Sequence, residues 1–303
     1  AAVHPDNPEF QAAKAKGIPM MPRADLLGEM MRNYKHAVNI SGTHGKTTTT
    51  SMLTEILLAA EADPTVTVGG ILPAIGGNIR VGGPEFFVAE ACEYTNSFLS
   101  FFPTMEIILN IEADHLDFFK DLEDIRHSFR LFAQKLDENG VLIINRDIER
   151  MEEITEGLPC KVITFGKDPE KSIYSAADIV FDQLARASYT LLIEGRPEGT
   201  ITLGVPGMHN VYNSLSAIAA SRELGISMEK IRTGLLHFTG TNRRFEKKGE
   251  IGGVTVIDDY AHHPQEIRAT LTTAKNYPHK KLWCVFQPHT YTRTAALLDD
   301  FVQ

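Results

Sequence analysis

Cysteine is scarce. The 303 residues hold three, Cys92, Cys160 and Cys284, far apart and none in a C-x-x-C pair. That excludes a disulfide framework and a zinc ribbon. An excess of positive charge is missing as well: 30 Lys and Arg stand against 39 Asp and Glu, a formal charge of −9. A binder of nucleic-acid backbone needs concentrated basic charge, so no nucleic-acid partner is expected. No run approaches the ~18–20 apolar residues that cross a bilayer, so no membrane insertion is expected. The opening AAVHPDNPEF has neither the basic nor the apolar region of a signal peptide. The expected location is cytoplasmic. An initiator Met and a terminating signal are also missing, which suggests a piece of something longer. Repeats and low-complexity tracts do not occur either.

What is present is ordinary globular composition, 43% hydrophobic and 23% charged, at a length of about two domains. Segments of strand and helix character alternate, the mark of a largely parallel α/β sheet. Ala37–Ile40 predicts a strand, followed by a glycine turn and a helix with Met52, Leu53, Ile56, Leu57 and Ala60 on one side. Phe86–Ala89 predicts a second strand, ending at Glu90, and Ile107–Ile111 a third, ending in Glu112-Ala113-Asp114-His115. Val141–Ile144 and Val162–Phe165 continue the series. From Asp178 the texture changes: Ile179–Phe181, Tyr189–Ile193 and Thr200–Leu203 read as a small antiparallel set. A helix from Asn210 to Leu224 closes on Gly225, and another starts after Ser227, with Glu229 in its first turn. Past a boundary placed near Gly240 come a strand at Val254–Ile257, a helix at Gln265–Ala274 and a strand at Leu282–Phe286. The first 35 residues read as one helix and an extended lead-in.

Gly42-x-x-Gly45-Lys46-Thr47-Thr48 lies between strand and helix, the context of a phosphate loop. Its glycines let backbone N–H groups approach phosphate oxygens, Lys46 supplies a full charge, and the Thr47 hydroxyl suits Mg²⁺. The common spacing would put glycine at position 40, where this chain has Ile40. Glu90 and His115 each follow a strand at its carboxyl end, the edge where open α/β sheets bind ligands. A carboxylate and an imidazole there suit divalent ions, but Glu93, Glu112, Asp114 and Asp117 compete for the role on spacing alone. His209-Asn210-x-x-Asn213 puts two amides on one helix face, fit for a purine or, for Asn210, for capping the helix. Arg243-Arg244 suits a phosphate clamp or plain linker charge. In Asp258-Asp259-Tyr260-Ala261-His262-His263-Pro264 the neighbouring histidines should point apart, which argues against a shared metal. Arg293, in Phe286-Gln287-Pro288-His289-Thr290-Tyr291-Thr292-Arg293, suits a carboxylate or phosphate.

Taken together, SGTHGKTTTTSM, EACEY with NSFL, NIEADHLDFF, PGMHNVYNSLSA, NRRFE, DDYAHHPQEI and FQPHTYTRT resemble the Mur ligases of peptidoglycan synthesis. They run in family order from about residue 40 to the end, and DDYAHHP with FQPH favours the alanine-adding branch. The resemblance implies a mostly parallel P-loop-type sheet with helices on both faces and a small antiparallel sheet, then part of a Rossmann-like domain. It divides the chain into a remnant of a UDP-binding domain (1–35), a central ATP-binding domain (36–240) and the start of an amino-acid-binding domain (241–303). It further implies ATP-dependent ligation of L-alanine to the lactyl carboxylate of UDP-N-acetylmuramate through an acyl phosphate, with Mg²⁺. Residue by residue, Gly42, Thr43, His44, Gly45, Lys46, Thr47 and Thr48 would cradle the phosphates. Glu90 and His115 would hold metal with Thr47, and His209, Asn210 and Asn213 the adenine. Arg244 would reach the γ-phosphate, with Asp259 near the ribose. Tyr260, His262, His289 and Arg293 would line the alanine and muramoyl pocket. This sequence departs from the family at Thr290, at Cys92 in place of Asp, and at Phe129-Arg130-Leu131, where some relatives carry a carbamylated lysine. Two other readings stay open: a folylpolyglutamate-synthetase-like ligase, and a nucleotide-binding piece without turnover.

Overall fold

The computed structural model describes residues 3–302. Two short helices come first, α1 (Pro8–Ala15) and α2 (Arg23–Met31), rather than one helix and a lead-in. Gly17 adopts a positive φ of 63°, and Pro19 and Pro22 follow it, so the backbone between them cannot continue a helix. Next come β1 (His36–Ser41), α3 (Lys46–Ala59), β2 (Thr65–Leu72), β3 (Gly77–Arg80), β4 (Phe86–Glu90) and β5 (Met105–Ile108). They are followed by α4 (Leu122–Ala133), β6 (Val141–Asn145), α5 (Glu152–Thr155) and β7 (Lys161–Phe165). The unit closes with β8 (Tyr174–Phe181), β9 (Arg186–Ile193), β10 (Arg196–Pro206), α6 (Met208–Glu223) and α7 (Met228–His237).

All ten strands form one sheet in the order β10-β9-β8-β7-β6-β5-β1-β4-β2-β3. The strands from β8 across to β2 run parallel to their neighbours, and the sheet is finished by antiparallel β3 on one side and by antiparallel β9 and β10 on the other. The antiparallel set foreseen near residues 179–203 forms as β8, β9 and β10 and is continuous with the large sheet. It joins the parallel strands through Phe165 paired with Tyr174. β2 and β3, the far edge, answer to no strand in the sequence reading. β1 lies between β4 and β5, so the chain turns to opposite sides there and leaves a crevice beyond its carboxyl end.

Alternation along each strand sends side chains to two cores. Val38, Ile40, Val88, Ile107 and Ile143 face α3, α6 and α7, while Ala37, Ala89, Ile108, Leu142 and Ile144 face α2 and α4. Helices thus cover both faces, as a parallel sheet requires. The stripe Met52, Leu53, Ile56 and Leu57 is fully buried, but α3 is not amphipathic: Thr49, Thr50, Ser51 and Thr54 are buried too. Their polarity is partly absorbed within the helix, where the hydroxyls of Ser51 and Thr54 donate to the carbonyls of Thr47 (2.8 Å) and Thr50 (2.7 Å). Gly225 caps α6 with φ 78°, and the Ser227 hydroxyl accepts from Lys230 N at the start of α7.

The remaining segment carries a separate two-stranded antiparallel sheet, β11 (Glu246–Ile251) and β12 (Val254–Asp258). Then come α8 (Pro264–Lys275), α9 (Tyr291–Ala296) and α10 (Leu298–Val302). The strand expected at Leu282–Phe286 does not form. The segment pairs with no strand among the described residues, so its backbone is left to water, and Val285 is fully exposed. No helix among the described residues is long and apolar enough to cross a membrane.

Candidate active site

Immediately after β1 the chain makes a turn that only glycine accommodates easily, with φ of 135° at Gly42 and 87° at Gly45. A Cβ on Gly45 would lie 2.8 Å from Asn213 Oδ1, so α6 abuts the loop from above. Asn110, just past β5, fixes the loop from the side. It accepts from His44 N (2.9 Å) through Oδ1 and donates through Nδ2 to the His44 carbonyl (3.0 Å). The His44 ring lies 3.2 Å from Glu112 Oε1. Asn110 carries no signal in a lone sequence, because its partner is 66 residues away.

Lys46 begins α3 and folds back over the loop. Its ammonium donates to the carbonyls of Gly42 and Thr43 and to both oxygens of Glu93, at 3.0 and 3.3 Å. Burial opposes the charge, yet Glu93, helped by Cys92 and Glu90, outweighs it and holds Lys46 protonated above the ordinary lysine range. Glu93, one of several competing acids in the sequence, is the direct partner of the loop lysine. Glu90 sits at the end of β4 and accepts from Gly69 N at 2.5 Å. A Cβ on Gly69 would meet Glu90 Oε2 at 2.8 Å, and one on Gly70 would meet the Thr47 methyl at 3.1 Å. The glycine pair in β2 therefore lies between Glu90 and Thr47.

His115 occupies a left-handed backbone conformation, φ 53°, and stacks on Tyr94 with 4.5 Å between ring centroids. Its Nε2 lies 3.9 Å from Glu93 and 3.7 Å from Asp114. Burial is the larger effect and keeps the ring below the usual histidine range, therefore neutral near pH 7. Among the described residues no three His, Cys, Asp or Glu side chains converge as a metal cage. A Thr hydroxyl and a carboxylate flanking a phosphate loop are nonetheless the hard oxygen donors that Mg²⁺ takes, with water and phosphate completing its shell. Thr47 and Glu90 fit that ion.

Beside the loop lies a cleft of about 920 Å³. It gathers His44, Gly45 and Thr48 from the loop, His209, Asn210 and Asn213 from α6, and Arg244 and Asp259 from the segment beyond α7. Asn145, Asp147, Lys167, Tyr212 and Arg268 also line it, and nothing in the sequence singled them out. Asn210 is not the cap of α6. Its Nδ2 donates to the Pro206 carbonyl (2.7 Å) while its Oδ1 accepts from Asn213 (3.0 Å), which aligns the two amides. Burial lowers His209 to a pKa of about 4. Asp259 accepts from the backbone N–H of Phe245 and Ala261, each at 2.7 Å, and burial still raises its carboxyl above the usual range. Arg244 lies 3.7 Å from Glu266.

The structure brings the other candidates together only in part. Lys46, Thr47 and Glu90 are not among the residues that line the cleft, and Tyr260, His262 and His289 line neither the cleft nor a smaller hollow beside His115. The adjacent histidines point apart as expected: His262 Nδ1 faces its own turn at the Tyr260 carbonyl (2.9 Å), while His263 caps α8. Arg293 reaches 3.1 Å from Asp114, and the two share a hollow of about 150 Å³ with His115.

A glycine loop from the central strand to a buried helix, at the switch point of a parallel sheet, defines a P-loop-type α/β protein. Three family models match the chain in order: the Mur ligase family catalytic domain over residues 1–35, the Mur ligase middle domain over 40–221, and the Mur ligase glutamate ligase domain over 243–303. The chain belongs to the Mur ligase family. It is 67% identical over 301 residues to a UDP-N-acetylmuramate–L-alanine ligase of Lachnospira eligens, covering 99% of this chain and 66% of that protein. The corresponding ligase of Agathobacter rectalis is 59% identical, with 99% of this chain and 65% of that protein covered. Among solved structures, UDP-N-acetylmuramate-alanine ligase of Thermotoga maritima matches with a TM-score of 0.84 at 32% identity, over 98% of this chain and 67% of that one. The chain thus spans about two thirds of the length of the relatives it matches.

Proposed function

We propose that this chain carries the nucleotide site and part of the amino-acid site of a UDP-N-acetylmuramate–L-alanine ligase, acting in peptidoglycan synthesis with ATP as the energy source. The observation that carries the reading is the phosphate loop with its lysine, set against a cleft that α6 and the segment beyond α7 line together. In this reading residues 1–35 belong to a UDP-binding domain, 36–240 form the ATP-binding domain and 241–303 open the amino-acid-binding domain. The aligned amides of Asn210 and Asn213, beside neutral His209, take the adenine, and Asp259 takes the ribose. Gly42 to Thr48 take the phosphates.

The chemistry joins two anions, so charge is the first obstacle. The lactyl carboxylate of the sugar must attack a γ-phosphorus whose oxygens are themselves negative, its bond to the β,γ-bridging oxygen breaking so that ADP leaves and an acyl phosphate remains. Lys46, turned from Glu93 toward the phosphates, and Arg244, reaching in from the other unit, offset that repulsion. Mg²⁺ held by Thr47, Glu90 and His115 would supply further charge neutralisation. The amine of L-alanine then attacks the acyl carbon of that acyl phosphate, the C–O bond breaks, and inorganic phosphate and a proton leave as the amide forms. The pocket for alanine and the muramoyl carboxylate is assigned to Tyr260, His262, His289 and Arg293. Because the cleft is made from both units, their approach excludes water that would hydrolyse the acyl phosphate.

The test is phosphate release measured with ATP, Mg²⁺, UDP-N-acetylmuramate and L-alanine, each omitted in turn. Release should require all of them, and Lys46→Ala should lower it by about 10²–10³-fold with circular dichroism unchanged. Undiminished release by Lys46→Ala would refute the loop's assignment.

A further inference from the structure

Two contacts from the segment beyond α7 converge on one dipeptide of the central unit, the two residues directly before His115. The His263 ring lies 3.3 Å from the Ala113 carbonyl, and Arg293 donates to both oxygens of Asp114, at 3.1 and 3.4 Å. Asp114 is itself buried, and the same carboxylate accepts from the backbone N–H of His115 at 2.8 Å. One carboxylate therefore ties an arginine 179 residues away to the backbone that aims His115. That backbone needs holding, since the left-handed conformation at His115 is disfavoured for a residue with a Cβ. Tyr94 stacks on one face of the ring, and the His115 carbonyl accepts from the N–H groups of Phe118 and Phe119, each at 2.9 Å, so what Asp114 holds is the N–H side of this backbone.

We propose that Asp114 is a positioning residue that makes the placement of His115 depend on the docking of Arg293. When the C-terminal segment is docked, Arg293 fixes the carboxylate and the carboxylate fixes the His115 N–H. When it is undocked, the carboxylate turns to water and the backbone at His115 relaxes. The site next to the phosphate loop is then complete only while the two units are together. The kinetic meaning of this coupling rests on the ligase reading above, whereas the coupling itself does not.

The test reads the His115 backbone amide resonance in the deuterated protein at one fixed pH, for the wild type and for Asp114→Asn, Arg293→Gln, Arg293→Lys and the Asp114→Asn/Arg293→Gln double variant. Arg293→Gln should move the His115 amide in the same direction as Asp114→Asn, and the double variant should move it no further than Asp114→Asn alone. Arg293→Lys, which keeps the charge, should return the resonance most of the way. In the phosphate-release assay Asp114→Asn should lower kcat by roughly 10- to 100-fold, with the KM for ATP nearly unchanged. A His115 amide unmoved by Arg293→Gln in an otherwise well-dispersed spectrum overturns the proposal, as do strictly additive shifts in the double variant. A wild-type protein without turnover would sink the ligase reading and leave the resonance test standing.

Discussion

The central unit and the segment beyond α7 are built on opposite principles. From β1 to α7 the chain buries apolar mass on both faces of one sheet, and nearly all of its large side chains at the core are fully covered. The segment from residue 241 onward buries little: Ile251, Trp283 and Val285 are 78%, 81% and 100% exposed. What it brings to the central unit is polar. Arg244 and Asp259 line the cleft, His263 reaches Ala113 and Arg293 pairs with Asp114. The teaching is that stability and site completion are divided. One part holds the loop in place, and the other delivers charges to it through contacts that leave room for movement.

The comparison breaks most visibly in the core. Phe129 of α4 is fully buried and meets Phe98 edge to face at 5.4 Å. Phe129→Ala should cost about 3–5 kcal/mol, because the cavity left beneath the sheet cannot collapse onto a rigid strand layer. Urea unfolding monitored by circular dichroism checks this, and a loss below about 1 kcal/mol would mean that the second face is not a packed core.

A smaller effect sharpens the same contrast by acid–base chemistry. Glu106 on β5 is fully buried opposite Asn39 of β1, and neither side chain finds a hydrogen-bond partner among the described residues. Burial raises its carboxyl well above the ordinary range, and Lys135 offsets only part of that. Above the unfolded-state pKa the folded protein holds a proton that the unfolded chain has released. Stability from this residue therefore falls as pH rises, by roughly 1.4 kcal/mol per unit, until the folded pKa is reached. Glu106→Gln removes the titration. The variant should match the wild type near pH 4 and gain on it as pH rises above the ordinary glutamate range, until the folded carboxyl ionises, in chemical denaturation at several pH values. A difference independent of pH would show that Glu106 is ionised in the fold.

The two parts also differ in how much of them a reader of the sequence could see. β1, β4, β6 and β7 are short apolar runs, and burial on both faces makes such runs conspicuous. β2 escapes because Gly69-Gly70 interrupts it, yet those glycines are there to let Glu90 and Thr47 approach. Leu282–Phe286 errs the other way: an apolar run is necessary for a strand but pairing makes it one. At the site, the loop residues 42–48 are local and legible. The bond from Lys46 to Glu93 spans 47 residues and that from Arg293 to Asp114 spans 179, so only the fold chooses Glu93 and Asp114 from a crowd of acids.

The smallest predicted effect falls on the chain's one tryptophan. Trp283 is 81% exposed, and the Lys281 ammonium lies over its ring at 6.0 Å from the centroid. At that exposure the indole has little apolar area to lose from packing, and a cation that far from the centroid adds little. Trp283→Ala should therefore change stability by no more than about 0.5 kcal/mol, a tenth or so of the Phe129 effect despite the larger side chain. The indole itself provides a second check. Its fluorescence should already resemble that of tryptophan in water and should shift little on unfolding. A blue-shifted emission, or a loss of stability above about 1 kcal/mol, would mean that this ring is packed. The segment beyond α7 would then hold a core of its own, and the division of labour between the two parts would fail.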